Sequence, residues 1–206
     1  MKRACTKEQL DIRKNEIINT VSKMFDEMDY QDISMKTISE KISIARSSLY
    51  CYYNSKEEIM LDVLKNDYIK FLNSLTSIFD KKDSSIDIVI DQLARAYMSN
   101  LKIMKIISLY LTDIEMHCSL ESLINFKKDF VNPMSKLKEA IKSYFDLTTS
   151  ENTLIIFNSL LMFTNSLYPM INPIDKQKEA MKIVGMELID DGFDFCKKYF
   201  SFLLKK

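Results

Sequence analysis

The chain has 206 residues, enough for one domain with a full core or for a small domain joined to a larger one. It holds only two glycines and three prolines, too few for the hairpin turns of a β-sheet protein, so long helices with short connections are expected. The formal net charge is zero but unevenly spread: residues 1–25 and 33–56 each carry a balance of +3, while Asp26, Glu27, Asp29 and Asp32 form an acidic knot between them.

Ile17, Ile18, Val21, Met24, Phe25 and Met28 recur at three- and four-residue steps, which predicts a first helix over about 7–28. Ser34 is the expected N-cap of a second helix whose inward face is Ile38 and Ile42. A short third helix is expected over 46–52. Ser55 and Glu58 form an S-x-x-E capping box that should open a fourth helix ending near Phe79. Ser84 with Asp87 marks another start, leading into 88–100, and helical segments follow at 101–118 and 120–146, with Pro133 expected to kink or break the latter. Thr148 and Glu151 make a second capping box at the start of a helix over 150–168 that is uncharged beyond Glu151. Residues 152–174 carry no charge and are long enough to cross a bilayer, but Asn152, Asn158, Asn165, Asn172, Pro169 and Pro173 argue for a helix buried in protein and against a membrane partner. A final helix over 176–203 should carry Ile189, Phe193, Cys196, Phe200 and Leu203 as a narrow seam suited to another helix.

The stretch from Ile33 to Glu58 has the pattern of a helix-turn-helix at about 34–53. In such a motif a short second helix, polar outside and anchored by apolar residues behind, enters the major groove. Leu49 would be the anchor. Ser34, Lys36, Thr37, Arg46, Ser47, Ser48, Tyr50, Cys51, Tyr52 and Lys56 are the candidate DNA-facing residues, with donors suited to phosphates or guanine edges.

These residues resemble the DNA-binding domain of the TetR (tetracycline repressor-like) family. The likeness runs from Asp11 to Phe71 and is most specific in Leu49-Tyr50, the Tyr52-Tyr53 pair and Ser55-Lys56-Glu57. Asp29, Ser43, Ala45 and Ser47 depart from the family pattern, Ser43 replacing a turn glycine and Ala45 a capping serine. The resemblance implies an all-α fold, with an N-terminal three-helix helix-turn-helix domain over 1–71 and a larger helical ligand-binding and dimerisation domain over 72–206. It further implies a homodimer built on the last two long helices, with Leu160, Phe163, Leu167, Ile189, Phe193, Cys196, Phe200 and Leu203 as the candidate interface. A small apolar or amphipathic ligand would sit among Tyr97, Met98, Met104, Tyr110, Met116, His117, Phe126, Phe130, Phe157, Met162 and Tyr168, methionine being tolerant of ligand shape.

His117 is the single histidine, and no nucleophile elbow, phosphate-cradling glycine loop or H-E-x-x-H is present, so no enzyme, cofactor or metal centre is expected. The four cysteines, Cys5, Cys51, Cys118 and Cys196, are scattered and no signal peptide is visible, which points to a reduced cytoplasmic protein. The function expected is therefore a regulator that binds double-stranded operator DNA, a repressor released by a small-molecule ligand. The alternative is a helical small-molecule-binding protein of the same fold that has lost specific DNA binding.

Overall fold

The structure, a computed structural model, describes residues 7–147 and 150–205. The described residues form eleven helices and no strand. In chain order they are α1 (Lys7–Glu27), a 3-10 turn (Tyr30–Asp32), α2 (Met35–Lys41), α3 (Arg46–Leu49), α4 (Lys56–Phe79), α5 (Ile86–Met98), α6 (Leu101–Leu109), α7 (Leu111–His117), α8 (Leu120–Tyr144), α9 (Ser150–Ile171), α10 (Asp175–Ile183) and α11 (Gly192–Leu204).

These helices group into two compact units. One runs up to Asn66 and takes in Thr112–Lys128; the other comprises Asp67–Leu111 and the chain from Asp129 onward. In the first unit the α1 stripe of Ile17, Val21, Met24 and Phe25 is buried as its spacing dictates. Ile38 of α2, Leu49 of α3, Ile59, Met60, Val63 and Leu64 of α4 and Ile114 of α7 complete that core.

The second unit is organised around Tyr97 of α5, which is fully buried. Its ring meets Phe71 of α4 edge-on at 5.1 Å and lies 5.3 Å from Phe163 and 5.1 Å from Phe200. Its hydroxyl donates to the Leu160 carbonyl of α9 at 2.8 Å, so the polar end of a buried aromatic is satisfied by backbone. Phe163 in turn stacks on Tyr199 at 4.0 Å. Helix α11 packs along α5, and α6 along α9.

Several expected boundaries move. The third helix ends at Leu49 rather than at residue 52. The segment expected as one helix over 101–118 divides at Tyr110. Helix α8 continues through Pro133 although the ring removes one backbone bond. Phe130, Leu137, Ala140 and Ile141 bury one continuous face across the proline, and that burial outweighs the loss. The helix expected over 176–203 fails at Gly185, so Ile189 lies outside α11 and its place in the seam was a coincidence of spacing. Asp191 caps α11: its carboxylate accepts from the Phe193 and Asp194 amides at 2.8 and 3.0 Å. Helix α5 starts after Ser85, one residue beyond the expected Ser84. The capping role expected of Thr148 lies outside the described residues, as does Cys5.

Two helices end in the same hydrogen-bond pattern. After α2, the Ile44 amide returns to the Ser39 carbonyl and the Ser43 amide to that of Glu40; after α10, Met186 returns to Met181 and Gly185 to Lys182. The pattern needs a left-handed residue. Gly185 supplies it freely at φ 71°, whereas Ser43 adopts φ 56° with a side chain in place. Replacing Ser43→Gly should therefore relieve about 1 kcal/mol of strain, raising the melting temperature by about 2–4 °C in a thermal melt. An unchanged or lower midpoint would contradict this reading of the turn.

Candidate nucleic-acid interface

The local build of α2 and α3 decides what their side chains can do. Ser34 caps α2: its Oγ accepts from the Thr37 amide at 3.1 Å while its own amide donates to Thr37 Oγ1 at 2.9 Å. These two residues, expected to face DNA, are thus occupied in holding the start of the helix. Their hydroxyls are half-buried.

Helix α3 is a single turn. Ala45 brings no side-chain oxygen to its start, and Leu49 is wholly buried behind it. Arg46, Ser47, Ser48, Tyr50 and Cys51 all face solvent. Within that face the Arg46 guanidinium donates to Tyr50 Oη at 3.0 Å and lies 5.6 Å from the centre of its ring, so the arginine is held extended along the helix. Cys51 Sγ points back to the Ser47 carbonyl at 3.6 Å. Lys36 is exposed on α2 and only loosely paired with Glu40 at 3.9 Å.

Two expected contacts are placed differently. The Lys56 ammonium donates to the Tyr30 carbonyl at 3.2 Å and sits 4.2 Å from the centre of the Tyr30 ring, which draws it away from the α3 face. Tyr52 is half-buried and borders a cavity of about 260 Å³ with Lys14, Asp62, Lys65 and Asn125.

What fixes α3 from behind is a set of polar bonds at the start of α4. Tyr53 Oη donates to Asp62 at 2.8 Å; burial first, then the adjacent carboxylate, pushes this phenol well above its ordinary pKa. Ser55 caps α4 through the Glu58 amide, as expected, at 3.3 Å. The Glu58 carboxylate does not close the box on Ser55 but reaches one residue further. It accepts from the Asn54 amide at 3.0 Å, and from the hydroxyls of Ser119 at 2.7 Å and Ser122 at 2.9 Å, at the opening of α8. Burial alone would raise this carboxyl, but those donors prevail and hold it below the usual glutamate value. Asn54, Ser119 and Ser122 are not marked by the sequence as site residues. The only signal is a serine that caps a helix, Ser119 accepting from the Ser122 amide at 3.2 Å.

The residues expected to line a ligand pocket scatter. Tyr97, Met104, Phe130 and Phe157 are buried core of the second unit, and Phe126 of the first. Met98, Tyr110 and Tyr168 are half-buried, whereas Met116, Met162 and His117 are exposed. His117 Nδ1 lies 2.9 Å from the Asp113 carbonyl of its own helix. A cleft of about 670 Å³ opens instead beside Phe145, Leu147, Asn152, Ile155, Phe202 and Leu203, of which only Leu203 was expected at a functional surface.

Of the expected dimer residues, Leu160, Phe163, Leu167, Cys196 and Phe200 are buried inside the chain, which leaves them no surface to offer a second copy. Burial pushes the Cys196 thiol up to about 12. Phe193 is half-buried under the Arg95 guanidinium at 5.3 Å. The outward faces of the same two helices carry other apolar residues: Leu154, Ile155 and Met162 on α9, and Phe202, 90% exposed, on α11. Helix α9 is long and apolar enough to cross a membrane. Its Leu160 and Ser159 carbonyls nevertheless accept from Tyr97 and from Tyr199 of α11, as in a core helix.

Comparison with known proteins places this arrangement. The family described as "Tetracyclin repressor-like, C-terminal domain" matches residues 65–203. The uncharacterized HTH-type transcriptional regulator YuxN of Bacillus subtilis (strain 168) is 30% identical over 97 residues, which cover 47% of this chain and 33% of that relative's length. Among solved structures, a transcriptional regulator of the TetR/AcrR family from Thermobifida fusca YX-ER1 superposes with a TM-score of 0.62 at 16% identity, covering 94% of this chain and 97% of that one. The fatty acid degradation regulator FadR from Bacillus halodurans gives a TM-score of 0.54 at 17% identity, over 93% and 94% of the two chains. At such identities the structures speak for the fold, while the family match spans most of the sequence. The chain belongs to the tetracycline repressor-like (TetR) family.

Proposed function

We propose that this chain is a DNA-binding transcriptional regulator, a repressor that leaves its operator when a small apolar or amphipathic molecule binds. The observation that carries the reading is the face of α3. Arg46, Ser47, Ser48, Tyr50 and Cys51 are presented together to solvent, with Leu49 fully buried behind them. Arg46 offers the bidentate fork that guanine accepts, and Lys36 a cation for the flanking phosphates. The turn before α3 keeps its hydrogen bonds with serine at position 43, which supports a working helix-turn-helix over a chain that has lost DNA recognition.

On this reading the DNA-binding part extends to about Phe71 and the ligand-binding and dimerisation part follows it, with the protein acting in the cytoplasm and in no catalytic role. Regulators of the family act as dimers. The exposed residues of α9 and α11, Ile155, Met162 and Phe202, are the surface we assign to the partner copy, in place of the buried seam. Ligand binding in the second part would move α4, and Glu58 would pass that movement to Asn54 and hence to α3. By linkage, operator DNA weakens ligand binding by the same factor.

Two expected outcomes follow from these assignments. In anisotropy titrations against a fragment from upstream of the protein's own gene, Arg46→Ala should cost about 1–3 kcal/mol and relax base preference, whereas Lys36→Ala should weaken binding evenly and lower the salt slope by about 1. Parental affinity for both at matched salt would remove the assigned reading face. Glu58→Gln keeps the shape but gives up the charge that the Asn54 amide and the Ser119 and Ser122 hydroxyls serve, and should cost about 1–3 kcal/mol in chemical denaturation at neutral pH. Because the folded carboxyl is held below its ordinary value, its stabilisation is complete above the ordinary glutamate range and fades as pH falls through the folded value. Parent and variant should therefore converge on acidification; a difference that persists at low pH would show the carboxylate's charge to be irrelevant.

A further inference from the structure

Within the second unit, α4 and α5 turn a second pair of faces towards each other outside the aromatic core. Ser74 and Ser77 of α4, Lys81 just beyond it, Gln92 and Arg95 of α5 and Ser99 at its end line one groove of about 510 Å³. On each helix these residues recur at three- and four-residue steps, so each gives the groove a single face. That face of α4 differs from the one on which Phe71, Leu75 and Phe79 are buried.

The polar groups of this groove are unevenly served. Arg95 bonds Asp91 through Nε at 2.7 Å, and among the described residues its two terminal nitrogens take no partner. Asp91 is shared with Lys197 at 3.5 Å, so one carboxylate answers two cations. Lys81 is exposed and forms no ion pair among the described residues. The hydroxyls of Ser74 and Ser77 donate to the Phe71 and Asn73 carbonyls at 2.7 and 3.0 Å, which leaves them only as acceptors towards the groove. Gln92 Oε1 is shut off from water and has no hydrogen-bond partner. A buried carbonyl without a donor is uncommon in a folded chain and calls for a partner.

We propose that this groove binds a small hydroxylated anion, a hydroxycarboxylate or a polyol phosphate. Its anionic group takes the spare donors of Arg95 and Lys81. A hydroxyl donates to Gln92 as the half-buried amide turns into the groove, and the carbon skeleton rests on Ile78 and Ala96. Both features are needed. An anion without a hydroxyl leaves the Gln92 carbonyl unserved, and a neutral polyol leaves the cations unserved. The site is separate from that of the apolar or amphipathic molecule proposed above, and it requires neither DNA nor a second copy.

The test is isothermal titration calorimetry on the full chain without DNA, using glycerate, glycerol 1-phosphate, sulfate and glycerol as probes. At least one hydroxylated anion should bind with a dissociation constant of about 1 mM or below, and whichever binds tighter identifies the anionic group. Sulfate should bind about tenfold or more weakly, and glycerol should not saturate. Lys81→Met should weaken every anion about tenfold, whereas Lys82→Met, a neighbouring exposed lysine outside the groove, should change nothing. Gln92→Leu, checked for helix content by circular dichroism, should bring the hydroxylated anions down to the level of sulfate. Absence of saturable binding by both hydroxylated anions would overturn the site. Equal affinity of the parent for sulfate and the hydroxylated anions would overturn the role of Gln92 and the ligand class with it. Equal losses in Lys81→Met and Lys82→Met would show a diffuse counterion effect and overturn the groove as the place of binding.

Discussion

A reading helix of one turn cannot hold itself. Arg46–Leu49 closes too few hydrogen bonds to repay its own ordering, and Ala45 supplies no cap. Everything that makes α3 a helix at a fixed angle comes from its surroundings: the buried Leu49, the left-handed turn at Ser43, and the start of α4. The polar contacts at that start do the most specific work. Tyr53 is tied to Asp62, and Glu58 gathers Asn54, Ser119 and Ser122 around one carboxylate. A buried charge of this kind is tolerable only when its oxygens are fully served, and here they are.

That support draws on residues far along the chain, Ser119 and Ser122. Glu58 lies two residues inside α4, and the same helix continues to Phe71 and Phe79, which belong to the core around Tyr97 and to its extension towards Tyr144. Helix α4 is thus one unbroken element from the buried polar knot to the aromatic cluster. The core of the second unit is held by stacked and edge-on rings around Tyr97.

The parts of the fold that were legible in the sequence are those governed by local bonds. Ser34 and Ser55 announce α2 and α4 because a side-chain oxygen beside free amides has one favourable use. The stripe on α1 is legible because burial follows a period of 3.6. The last helix misleads for the opposite reason. Ile189, Phe193 and Cys196 keep the right spacing across a break that Gly185 and Asp191 impose, and apolar periodicity carries no record of such a break. The ligand-lining and dimer residues were the least legible, since methionine and aromatic side chains serve a core, a cavity and an interface equally well. Only burial separates Phe200, spent inside, from Phe202 two residues on. The Glu58 cluster joins residues more than sixty positions apart in sequence, a pairing that no local pattern encodes.

The most direct measurement is hydrogen exchange by mass spectrometry on the full chain, with and without a fragment of its own upstream DNA. Slowed exchange should centre on peptides covering α2 and α3 and the start of α4, with smaller effects around Ser119 and none in residues 172–191. Saturating DNA that leaves the peptides over 34–54 exchanging as in the free protein would contradict the assignment of this surface to DNA.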